Sequence, residues 1–91
     1  MFRDVVNRHL NLMNKNSQDL AAAAEVAYLQ MEKWLDSADQ RRLDREAVNR
    51  ISWSLAFLYD QQGNSSAIDH VDVLLGELLN AAGFSLYDIA A

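Results

Sequence analysis

Proline is absent from this 91-residue chain, and glycine occurs only at positions 63, 76 and 83. These two residues are the commonest interruptions of a helix, so their scarcity leaves long helices as the natural outcome. Apolar residues recur at three- and four-residue steps along most of the sequence, and no stretch of comparable length alternates as a strand would. The expected class is all-α.

Phe2, Val5, Val6, Leu10 and Met13 lie on one helical face and predict a first helix over about residues 2–14. Asn14-Lys15-Asn16-Ser17 breaks the pattern. Ser17 can cap a second helix there, with Asp19 beside its positive end. That helix is predicted over about 18–36, with Leu20, Ala24, Ala27, Met31 and Trp34 or Leu35 as its main face. Ala22, Val26 and Leu29 widen its apolar arc, and Ala21 to Ala24 are small enough for another backbone to come close.

A loop is placed at roughly 37–42, where two start signals compete. Ser37 with Gln40 fits a capping box, and Asp44-Arg45-Glu46-Ala47 reads as a cap followed by an acidic first turn. The third helix, about 43–62, carries Leu43, Ala47, Ile51, Leu55 and Leu58 on one face, with Val48 and Tyr59 beside it. Trp53 and Phe57 point elsewhere, and Glu46 precedes Arg50 in the favourable i, i+4 order. Gly63 suits the left-handed position that ends a helix, and Asn64-Ser65-Ser66 completes a turn. Ser66 with Asp69 then starts a fourth helix over about 66–82, built on Ile68, Val71, Leu75, Leu78, Leu79 and Ala82 and closed by Gly83. Phe84, Leu86, Tyr87 and Ile89 form a short apolar C-terminal tail. The expected architecture is a compact bundle of four helices in a single helical domain over residues 1–91.

Charge is divided unevenly. Residues 1–50 hold eight Lys and Arg against eight Asp and Glu, whereas Ile51 to Ala91 hold Asp60, Asp69, Asp72, Glu77 and Asp88 with no Lys or Arg, which accounts for the net charge of −5. An acidic surface disfavours phosphate backbones and membrane surfaces and favours basic protein surfaces. Arg41, Arg42, Arg45 and Arg50 are the only basic concentration, but Asp39, Asp44 and Glu46 lie among them, so no direct nucleic-acid contact is expected.

Other classes are excluded by what is missing. There is no cysteine, which removes disulfides, thiol nucleophiles and Cys-ligated metals. No apolar run approaches the ~18 residues needed to cross a bilayer. Charges inside the first ten residues argue against a secretory leader, so a cytoplasmic location is expected, and Asn64-Ser65-Ser66 reads as a turn rather than a glycosylation site.

Candidate chemistry is sparse. Asp69, His70 and Asp72 could bind a divalent metal or pass a proton, which would make the protein a metal-dependent hydrolase or an enzyme subunit. Neighbours at i, i+1 and i+2 diverge on a helix, however, and no H-E-x-x-H or E-x-x-E pair is present among His9, Glu25, Glu32, Asp36 and Asp39. Nucleophile elbows and phosphate-cradling glycine loops are also absent, so neither catalysis nor a cofactor is expected. The aromatic residues carry more information. Trp34, Trp53 and Phe57, with the acids Asp60, Asp69, Asp72 and Glu77, are the candidate protein interface. The favoured expectation is a small acidic adaptor, regulator or inhibitor that works by protein contact. It would form a homodimer through the wide apolar faces of its second and third helices. Its partner would carry a basic surface, such as the nucleic-acid groove of a machine blocked by a phage or mobile-element protein.

Overall fold

A computed structural model describes residues 2–37, 43–64 and 66–84. Among them lie six helices and no strand: α1 (Phe2–Leu12), α2 (Ser17–Ala24), α3 (Tyr28–Ser37), α4 (Arg45–Gln61), α5 (Ser66–Asp69) and α6 (Val71–Ala81). Of the expected loop at 37–42, Ser37 ends α3, and residues 38–42, with Gln40, Arg41 and Arg42, lie outside the described residues, as does the tail from Ser85 onward.

Local chemistry explains most of the boundaries. α1 buries Phe2, Val6 and Leu10 at four-residue steps, and Met13 continues the stripe. It stops at Asn14, whose φ of 57° is left-handed; the Lys15 amide reaches back to the Leu10 carbonyl at 2.8 Å. Asn tolerates this conformation better than most side chains. The cap of α2 is Asn16, not Ser17. Its side chain accepts from the Asp19 amide at 3.0 Å while the Asp19 carboxylate accepts from the Asn16 amide at 2.9 Å, a reciprocal capping box. Ser17 instead donates its hydroxyl to Glu32 Oε1 at 2.9 Å, tying α2 to α3. Of the two start signals before α4, Asp44 caps the helix by accepting from the Ala47 amide at 2.8 Å. Gly63, at φ 92°, ends α4 as expected, with the Asn64 amide returning to the Tyr59 carbonyl at 3.0 Å.

Two of the four expected helices are each divided. The stretch 18–36 breaks at Glu25, Val26 and Ala27. Glu25 adopts φ 58°, and the Val26 amide bonds to the Ala21 carbonyl at 3.1 Å, the signature of a left-handed helix stop. No glycine announces it. The physical reason is packing: a straight helix over that span would run roughly 28 Å at 1.5 Å per residue. Divided, α2 packs on α4 and folds back on α3, while α3 lies on α1. Leu20, Ala21, Ala24, Met31 and Leu35 are all buried as a result, whereas Ala27 of the expected main face and Ala22 and Leu29 of its widening arc are exposed. Burying several such side chains outweighs the ~1–2 kcal/mol that a left-handed non-glycine residue costs. The stretch 66–82 divides at His70, leaving α5 as a single turn before α6.

α4 is the centre of the molecule. It packs against α2, α5 and α6, and α1 reaches α2, α3 and α6. Ala47, Val48, Ile51, Leu55 and Leu58 of α4 share one buried cluster with Phe2, Val6, Leu10, Leu20, Met31, Leu35, Leu78 and Leu79. Ser52 and Ser54 are buried too, each satisfied by donating to a carbonyl one turn back, Val48 at 2.9 Å and Arg50 at 2.7 Å. A radius of gyration of 12.2 Å equals that of a compact chain of this length, ~12 Å. Around the rim, Arg3 of α1 binds Glu32 and, at 3.0 Å, Asp36 of α3. Those two carboxylates, weighed above as metal ligands, are therefore committed to a guanidinium. Glu46 and Arg50 keep their favourable order but close no ion pair.

Glu25 makes no side-chain hydrogen bond or ion pair among the described residues, so its replacement exposes the backbone cost. Glu25→Gly is expected to stabilise the fold by up to about 1 kcal/mol, raising the melting temperature by several degrees. Glu25→Ala, which keeps a Cβ, should leave it nearly unchanged. Equal melting of the Gly and Ala variants would contradict the strained stop.

Candidate functional site

The exposed side of α4 follows from its buried sides. Once α2, α5 and α6 cover the helix, one row stays in solvent: Glu46, Asn49, Arg50, Trp53, Phe57, Asp60 and Gln61. Trp53 and Phe57 stand one turn apart in the middle of it, with 47% and 46% of their surfaces exposed. Beside them runs an open groove of about 540 Å³, walled by Ala22 to Glu25 at the end of α2 and by Ile68 of α5. The small alanines keep this wall low. Single exposed apolar side chains are ordinary on a protein surface, and Leu12 and Val73 are such cases here. Two large rings side by side against an apolar wall form a patch, which is the arrangement of an interface anchor.

The other expected interface residues are dispersed. Trp34 is half-buried on α3 and packed against the core, away from the α4 row. Asp60 belongs to the row itself. Asp69, at the end of α5, and Asp72, in the first turn of α6, are exposed. Glu77 is engaged internally, as described next.

A second cluster joins α1, α4 and α6. His9 Nε2 lies 2.6 Å from Glu77 Oε1, His9 Nδ1 lies 2.6 Å from the Tyr59 hydroxyl, and Arg8 Nη2 lies 2.5 Å from Glu77 Oε2. The two rings meet edge to face at 5.8 Å. An ionised carboxylate only accepts, so Nε2 carries a proton, and Tyr59 and His9 satisfy each other at Nδ1. Both ring nitrogens are thereby occupied, leaving neither for a metal or a substrate. The hydrogen bond from His9 holds the Glu77 carboxyl below its ordinary value, against the opposing effect of partial burial and with further help from Arg8. Burial, and then the negative charge of Glu77, push Tyr59 above its ordinary value, while Arg8 pulls it down. A phenol held more firmly protonated is a weaker nucleophile. The cluster thus ties α1, α4 and α6 together through side chains that satisfy one another.

Sequence reasoning did not find this clamp, because its partners lie 50 and 68 residues from His9. The visible signal was the position of His9 beside the apolar stripe of α1. Among the described residues no three His, Cys, Asp or Glu side chains come together to hold a metal ion, and Asp69, His70 and Asp72 do not assemble into such a set. No described helix is long and apolar enough to cross a membrane. Comparison with protein-family models, with curated proteins and with solved structures gives no match to this chain.

The clamp makes stability depend on pH at both ends. In the native state Glu77 binds its proton more weakly than in the unfolded chain, so its contribution is complete above about pH 4.5 and is lost as pH falls below it. Tyr59 is the reverse case: its contribution is complete below about pH 10 and is lost as pH rises through the native value. Glu77→Gln should therefore lose less melting temperature than the wild type on acidification. At neutral pH it should cost no more than about 1 kcal/mol, since the carboxylate is 38% exposed. Tyr59→Phe should flatten the alkaline limb in the same way. Parallel pH profiles for wild type and variants would show that the clamp contributes nothing.

Proposed function

We propose that this protein works by contact with other protein surfaces, as an adaptor, regulator or inhibitor, and that the Trp53–Phe57 face of α4 anchors the contact. The exposure of those two rings at the middle of the solvent-facing row of α4 carries the reading. Covering the remaining half of each ring removes about 100 Å² from water, worth roughly 2–3 kcal/mol per ring. Two such anchors suffice as the hot spot of a modest interface.

Charge supports the choice of partner. Asp60, Asp69 and Asp72 remain exposed in a half of the chain without Lys or Arg, whereas the charge of Glu77 is answered by Arg8. This surface suits a basic partner in the cytoplasm, of which the nucleic-acid groove blocked by a phage or mobile-element inhibitor is one kind. The partner interface is accordingly drawn on Trp53, Phe57, Asp60, Asp69 and Asp72, without Trp34 and Glu77. No cofactor enters this reading, and no observation favours the metal-dependent hydrolase built on Asp69, His70 and Asp72.

A photo-crosslinking side chain placed at Phe57 tests the proposal. Illumination of the purified chain, and of extracts from cells that encode it, should give discrete, saturable adducts at position 57. The same probe at Leu12, an exposed apolar position on α1, should give none. Equal or absent labelling at the two positions would contradict the proposal.

A further inference from the structure

The exposed row of α4 has a symmetry that its sequence alone does not advertise. Arg50 and Asp60 flank the aromatic pair at opposite ends, ten residues and thus roughly 15 Å apart. Neither the Arg50 guanidinium nor the Asp60 carboxylate has a hydrogen-bond or ion-pair partner among the described residues. Positions 53 and 57, 50 and 60, and 49 and 61 are each centred on position 55. A two-fold axis through the exposed face at that level therefore exchanges Trp with Phe, Arg with Asp, and Asn with Gln.

A symmetric dimer requires a patch that is complementary to itself. This one is, in one orientation. With two α4 helices antiparallel, ring meets ring at the centre and cation meets carboxylate on both sides. Asn49 and Gln61, whose amides both donate and accept, meet at the ends. With the helices parallel, Arg50 would face its own copy and Asp60 would do the same, and both contacts repel. The low wall of Ala22 and Ala23 leaves space beside the rings for an incoming helix.

We infer that a second copy of this chain closes the α4 face, antiparallel about a two-fold axis at the level of residue 55. Trp53 packs against Phe57 of the partner subunit, and Arg50 pairs with Asp60 of the partner subunit. The inference rests on the contact function proposed above and names the first occupant of its anchor. Asp69 and Asp72 lie outside this row, so both copies keep them for a basic partner.

Sedimentation equilibrium of the purified full chain, from micromolar to millimolar concentration, reads the dimerisation constant. The wild type is expected to self-associate. Arg50→Asp and Asp60→Arg should each weaken association by on the order of tenfold or more, because attraction turns to repulsion at two symmetry-related places. The double variant Arg50→Asp/Asp60→Arg should return to the wild-type constant. All the changes fall at exposed positions, and matching melting curves show that the fold is intact. A wild type that stays monomeric throughout, single reversals that associate as well as the wild type, or a double variant no better than the singles would each overturn the inference. If the chain is monomeric yet the Phe57 probe labels a different protein, the dimer fails and the contact function stands. Absence of any adduct at Phe57 removes both.

Discussion

Everything distinctive about this molecule depends on how completely α4 is surrounded. A helix can hide at most part of its circumference in a small protein, and α4 hides most of it beneath α2, α5 and α6. Buried serines mark how far the covering extends: Ser52 and Ser54 could enter the interior only because each can donate to a carbonyl of its own helix. What remains is one row facing water. Whichever residues the sequence places on that row become surface, and at its middle the sequence places Trp53 and Phe57.

The same packing accounts for where sequence reasoning succeeded. Boundaries set by local chemistry were legible: Gly63 and Gly83 take positive φ after α4 and α6, and Asp44 caps the start of α4. The core positions of α1 and α4 were legible as well, since each helix buries a periodic stripe. The stop at Glu25 was not, because the residue has no intrinsic preference for the left-handed region and is held there by tertiary burial of Met31 and Leu35 on one side and Leu20 and Ala24 on the other. Asn16 was passed over in favour of Ser17, although both are good caps. Only the position of Asp19, three residues after Asn16, completes the reciprocal box.

For the candidate site the division runs along the same line. The exposure of Trp53 and Phe57 could be read from their place outside the main stripe of α4, whereas Trp34, an alternative to Leu35 on the main face of its helix, packs against the core from α3. Glu77 read as one more acidic side chain in a half of the chain without fixed cations. Long-range pairing changes its meaning: Arg8 and His9 come from the opposite end of the sequence and turn it into a tie among three helices. The acidic surface available to a partner is correspondingly smaller than the charge count implies. In that half of the chain Asp60, Asp69 and Asp72 remain exposed, on three different helices.

The central claim is that the α4 face is covered in solution by another copy of the chain, and the two tryptophans allow it to be watched directly. With 5-fluorotryptophan incorporated at Trp34 and Trp53, each gives its own fluorine resonance, assigned by Trp34→Phe. As concentration rises, the Trp53 resonance should shift and lose its sensitivity to exchange of water for heavy water, while that of Trp34 stays where it is. A Trp53 resonance that remains solvent-sensitive and unmoved across the whole range would contradict the claim.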